Sequence, residues 1–174
     1  MSLGGGMSLH INLAGDKEVQ KAMRTLPRKI HKKVLRAAIR SGMAPALKES
    51  KRMIPVESGA LRDSMKISIK AFPPHVMVGK LWPDKNMAVG FWPEGSNKPE
   101  LRKPIKYAHL VEGGHVLVRN GQVIGEVAPQ PFIRDAFAQT KDEQIRRFRK
   151  SYLRGSKREW RKLVETIPKK RKLA

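Results

Sequence analysis

The segment HVLVRNGQVIGEVA, from His115 to Ala128, constrains the fold more than any other stretch of the chain. Two runs rich in β-branched residues flank Asn120-Gly121, a pair suited to the positive φ angles of a type I′ turn. A tight antiparallel hairpin is expected here. The chain therefore is not all-helical, and the hairpin must be combined with the helical patterns on either side of it.

Upstream, Leu9, Ile11 and Leu13 alternate with polar residues as in a short half-buried strand. Asp16 is placed to cap a helix carrying Val19, Met23 and Leu26 on one face. Pro27 ends it and opens a second helix, from Arg28 to about Met53. Pro45 lies inside that helix and is expected to kink or divide it, because its ring removes a donor and crowds the preceding turn. Ser58 is expected to cap a single turn at ALRDS. KISIKA, HVMVGKL and MAVGFW read as strands, and Pro93 to Pro104 as a polar loop. From Pro131 a long helix places Ile133, Ala136, Phe137, Ile145, Phe148 and Tyr152 at helical spacing, with Gly155 a point of interruption. Helices, an antiparallel β-meander with a β-hairpin, then a long C-terminal helix make an α+β fold. Residues 1–7 read as a flexible lead-in, 8–150 as the α+β domain and 151–174 as a basic helical extension and tail.

Charge bears on partners. The chain holds 37 Lys and Arg against 15 Asp and Glu, a formal +22. Such an excess points to nucleic acid, an anionic surface or an acidic protein. From Arg28 to Arg52, nine basic residues face Glu49 alone. Lys29, Lys33, Arg36 and Arg40 recur at i, i+4, i+7 and i+11, one stripe of a helix. From Arg134 to Lys172, fifteen basic residues face five acids, and Arg146, Arg147, Arg149 and Lys150 form a second cluster. Both clusters are candidate contacts for phosphate backbone. Aromatics make up 6% of the chain, which gives little support to a stacking platform for single strands.

Catalysis finds little support. Without cysteine there are no thiolate ligands, thiol nucleophiles or disulfides. No G-x-S-x-G elbow and no P-loop is present. His109, Glu112 and His115 form H-x-x-E-x-x-H, which on a continuous helix would bring metal ligands together. Gly113-Gly114 is expected to break the helix before His115, so no metal site, catalytic residue or cofactor is assigned. No apolar run approaches the roughly 20 residues of a membrane span, and no membrane partner is expected.

Three segments in order, IPVESGALRDSM, YAHLVEGG and APQPFIRDAF, resemble the neck or tail-completion family of lambda-like long-tailed bacteriophages. The resemblance runs from about Ser8 to about Asp142. The family's P-V-x-T/S-G-x-L-R turn corresponds to Pro55, Val56, Ser58, Gly59, Leu61 and Arg62. Its Y-A-x-x-V-E-x-G segment corresponds to Tyr107, Ala108, Val111, Glu112 and Gly114. Its proline-led Phe helix start corresponds to Pro131, Phe132, Ile133, Ala136 and Phe137. Ala128-Pro129, Gln130 and Gly113 depart from the usual Pro-Ala, Arg and aromatic, and the basic extension after about Lys150 is a further departure.

These residues make sense as structure. Tyr107 and Val111 share a helical face, and Phe132 fixed by Pro131 fills the same core. Glu112 is expected to accept hydrogen bonds from loop backbone or from Arg62. The resemblance implies a virion structural protein of the head–tail junction, assembled in the bacterial host cytoplasm as a homo-oligomeric ring. Its implied partners are further copies of itself, head-closure proteins, tail-terminator or tail-tube proteins, and double-stranded DNA in the channel. The rival reading is a nucleic-acid-binding protein without sequence specificity.

Overall fold

The computed structural model describes residues 27–55, 59–72, 76–91 and 100–166, with Lys17, Lys21 and Arg24, which are helical and exposed, before them. The expected lead-in at 1–7, the strand at Leu9 to Leu13 and the final KKRK fall outside these residues. Five helices and six strands follow in the order expected of an α+β chain: α1 (Arg28–Met53), α2 (Ala60–Ser64), β1 (Met65–Phe72), β2 (Val76–Pro83), β3 (Val89–Phe91), β4 (Glu100–Arg102), α3 (Pro104–Gly113), β5 (His115–Arg119), β6 (Gln122–Val127), α4 (Phe132–Gln139) and α5 (Lys141–Thr166).

Helix α1 is the spine of the molecule. It runs through Pro45 without dividing, and Ala38, Met43, Ala46 and Ser50 are fully buried on both sides of the proline. Contacts on both halves offset the lost intrahelical hydrogen bond. One core gathers Met43, Ala46 and Ile54 of this region with Leu61, Met65, Leu81, Ala108, Phe132, Ile133 and Phe137. A second, between α1 and α5, consists of Val34, Ala38, Phe148 and Tyr152.

The strands form three separate two-stranded antiparallel sheets. In the first, Met65 pairs with Pro83 and Phe72 with Val76. Gly79 of β2 lies so close to Met43 and Ile39 of α1 that a Cβ there would overlap them. β3 pairs with β4, whose Glu100 to Arg102 lie inside the stretch expected to be an unstructured polar loop. Three residues are too few to display an alternating pattern, which is why this strand left no sequence signal. The β5–β6 hairpin turns at Asn120 (φ 52°) and Gly121 (φ 80°), both left-handed as a type I′ turn requires.

The C-terminal helical region differs from expectation in two places. It is two helices, broken at Thr140, where the buried Gln144 side chain donates to the Phe137 carbonyl (3.2 Å) and to Thr140 Oγ1 (2.7 Å). Those bonds satisfy groups released by the break. Gly155, in contrast, does not interrupt α5. A Cβ on it would stand 2.9 Å from Val34 Cγ1, so this glycine permits close approach of α1 and α5. Gly42 plays the matching part opposite Phe148, at 3.1 Å. The pairing of 42 with 148, 34 with 155 and 33 with 159 makes the two long helices antiparallel. Lys150, the boundary drawn from composition, lies within α5, and Tyr152 beyond it is fully buried.

Candidate functional site

The three motif segments converge around the first core. Pro55 follows the end of α1 and is exposed, while Val56 and Ser58 lie outside the described residues. Gly59, at φ 72°, holds the N-cap position of α2, so the expected cap at Ser58 is displaced by one residue. Leu61 enters the core. Ala108, Phe132, Ile133, Ala136 and Phe137 are buried, and Tyr107 and Val111 pack half-buried against the same cluster.

Glu112 joins two of the segments. Its carboxylate accepts the backbone N–H of Ile133 (2.9 Å) and of Arg134 (3.0 Å), the second and third amides of α4. No side chain of α4's own start makes a capping hydrogen bond, so a carboxylate from α3 supplies the acceptors instead. The donors are backbone amides rather than Arg62, but they belong to the start of α4 and not to the expected loop. Arg62 bonds Asp63 Oδ1 (3.1 Å).

Helix α3 ends as expected at the glycine pair: Gly114 has φ 71°, and a Cβ there would meet the Val127 carbonyl at 2.7 Å. His115 passes into β5 with Nδ1 3.4 Å from the Leu110 carbonyl, and His109 is exposed. Among the described residues no group of three or more His, Asp or Glu is arranged to hold a metal.

The cationic residues occupy the outer faces of α1 and α5. Lys33, Arg36 and Arg40 are exposed, on the side of α1 opposite fully buried Ala38. Lys29 shares their helical stripe by spacing, but its side chain is outside the described set. Lys33 also reaches Glu159 of α5 at 3.4 Å.

Within the second cluster, Arg147 is paired with Glu143 at 2.6 Å. Arg146 and Lys150 are exposed. Lys150 begins a longer stripe. With Arg154, Lys157, Arg158, Arg161 and Lys162 it lines an open groove along α5, Leu153 among them.

Sequence reasoning missed the last five of these cations by assigning them to an extension. Their recurrence at i+4, i+7, i+8, i+11 and i+12 from Lys150 was the available signal. The acid in this stretch, Glu159, is turned inward. It is 6% exposed and lies within 3.4–3.9 Å of Lys33, Arg158 and Lys162. Withdrawal of Glu159 leaves the outer face of α5 cationic over about 18 Å.

Burial raises the Tyr152 phenol above its usual pKa, and its ring stacks on Phe148 and meets His31 edge-on. This polar group lies beneath the cationic face and helps fix the two helices. Among the described residues no helix is long and apolar enough to cross a membrane.

Residues 17–114, more than half of the chain, match the model of the family "Bacteriophage HK97-gp10, putative tail-component". No curated protein matches the chain, and no solved structure does. The family match spans α1 to α3 and so includes the first two motif segments and Glu112. The chain belongs to this family of bacteriophage tail components and has a virion structural role.

Proposed function

We propose that this tail component acts at the head–tail junction, as a ring that joins head-closure proteins to the tail and leaves a passage for DNA. The observations that carry the reading are the cationic outer faces of α1 and of α5, in a chain of the tail-component family. A structural protein beside a DNA path needs to hold phosphates without reading bases. Exposed Lys and Arg meet that need. Arg36 and Arg40 on α1, and the Lys150–Lys162 stripe on α5, are the contacts in this reading. Lys33, Arg158 and Lys162 are shared with Glu159. Closure into a ring follows from a head-to-tail interface whose rotation returns to the start.

The experiment is duplex binding measured by fluorescence anisotropy across salt concentrations. Each neutralised phosphate contributes about 0.9 to the slope of log affinity against log salt, so six contacts give a slope near −5. Raising salt from about 50 to 200 mM should then weaken binding by roughly a thousandfold. Replacing Arg154, Lys157 and Arg161 by Gln should reduce the slope by about 3, and a scrambled duplex should bind equally well. Salt-insensitive binding, or a strong preference for one sequence, contradicts the DNA-path reading. An absence of duplex binding at low salt assigns the stripe to an acidic neighbour in the neck.

A further inference from the structure

The β5–β6 hairpin is built unlike a solvated ribbon. Val116, Leu117 and Val118 are consecutive, so they project to both faces of β5, and all three are exposed. On β6, Val123 and Ile124 are 69% and 62% exposed. The register places Val118 opposite Val123 and Leu117 opposite Gly125, leaving Ile124 as the extra residue of a bulge. Leu117 lies over the bare Gly125, 3.7 Å from where a Cβ would stand. Each face sets exposed apolar side chains beside a few polar ones, Arg119 and Gln122 on the Leu117 face and Glu126 on the Val116 face, and no third strand completes the sheet among the described residues. A two-stranded ribbon with apolar side chains on both faces and open edges is marginal in water and presents a template for pairing.

Charge identifies the occupant. From His115 to Val127 the hairpin carries Arg119 and Glu126 and is formally neutral with His uncharged, in a chain of +22. Two copies meeting through their cationic helix faces would bring like charges together, at a cost that grows as water is excluded. The neutral apolar hairpin is where contact between copies costs least. An acidic neighbour would be drawn instead to the α1 and α5 faces. Sheet geometry agrees, because among the described residues β1–β2 and β3–β4 are also two-stranded and have edges to which a strand can add.

We infer that the β5–β6 hairpin is the element by which one copy of this chain docks on the next. The inference rests on the ring reading and names its contact. The docking is head-to-tail: the hairpin meets a different surface of its neighbour, as closure of a ring requires.

Native mass spectrometry over a range of protein concentrations tests this with the wild type and a Val118→Lys, Val123→Lys double variant. Both positions are exposed, so the monomer fold should persist, and far-UV circular dichroism verifies that. A Val118→Thr, Val123→Thr variant retains β-branched shape and serves as a second probe. The wild type should form a closed oligomer. The Lys variant should be monomeric, or need at least about tenfold more protein to assemble, with the Thr variant between them. Hydrogen exchange in residues 116–124 should slow as the wild type assembles. An unchanged oligomer in the Lys variant overturns the hairpin contact and leaves the ring intact. A wild type monomeric at every concentration removes the ring and this contact with it. Protection of the hairpin only on adding another virion protein assigns the surface to that protein and overturns docking between copies.

Discussion

Replacing Glu112 with alanine deprives the head of α4 of its acceptor while leaving every core side chain in place. The Ile133 and Arg134 amides lose hydrogen bonds of 2.9 and 3.0 Å to a carboxylate. Bonds to charged groups contribute about 1.5–3 kcal/mol each, and loss of an N-terminal cap costs about 0.5–2 kcal/mol. Water can replace the partner at exposed Arg134 but much less well at part-buried Ile133. The net loss should therefore be about 2–3 kcal/mol. For a chain of this size each kcal/mol lowers the melting temperature by about 2–4 °C, which gives a fall of about 4–12 °C by calorimetry. Glu112→Gln retains one carbonyl acceptor without the charge and should lose roughly half as much. An alanine variant melting within about 2 °C of wild type refutes the reasoning, because α4 would then be held by Phe132 and Ile133 packing alone.

Two further substitutions test the α1–α5 seam. Gly155→Ala should destabilise the protein by about 1–3 kcal/mol through overlap with Val34, despite alanine's better helix propensity. In a Val34→Ala background the same change should become stabilising, and a double-mutant cycle by urea denaturation measures the reversal. The Tyr152 phenol is raised by burial above its unfolded value near 10. Its contribution to stability is therefore full below about pH 10 and is lost as pH rises through the higher folded pKa. Tyr152→Phe should flatten the alkaline loss of stability in melts above about pH 10, and an unchanged profile places the titration elsewhere.

The periodic elements were legible in the sequence for definite reasons. The β-branched runs around Asn120-Gly121 specified a hairpin locally, and the apolar face of α1 extended over enough turns to show its period. Burial of Phe132 and Phe137 was readable because Pro131 fixed where their helix begins. Pro45 and Gly155 were less transparent, since a local breaking tendency competes with packing that only the folded pair of helices supplies. The same holds for the Glu112 cap, whose donors lie twenty-one and twenty-two residues away. Of the two cationic faces, the Arg36 and Arg40 stripe of α1 was visible by spacing. The longer α5 stripe was obscured by a boundary drawn from composition in the middle of a helix. That Glu159 turns inward depends on Lys33 of another helix and has no local signature.

The central claim, a virion structural role at the head–tail junction, is tested most directly by a nonsense mutation in the phage gene for this chain. Electron micrographs of the resulting lysate should show DNA-filled heads and complete tails that remain unjoined, with infectivity restored when the wild-type protein is supplied. Joined, infectious particles lacking the protein would contradict the account.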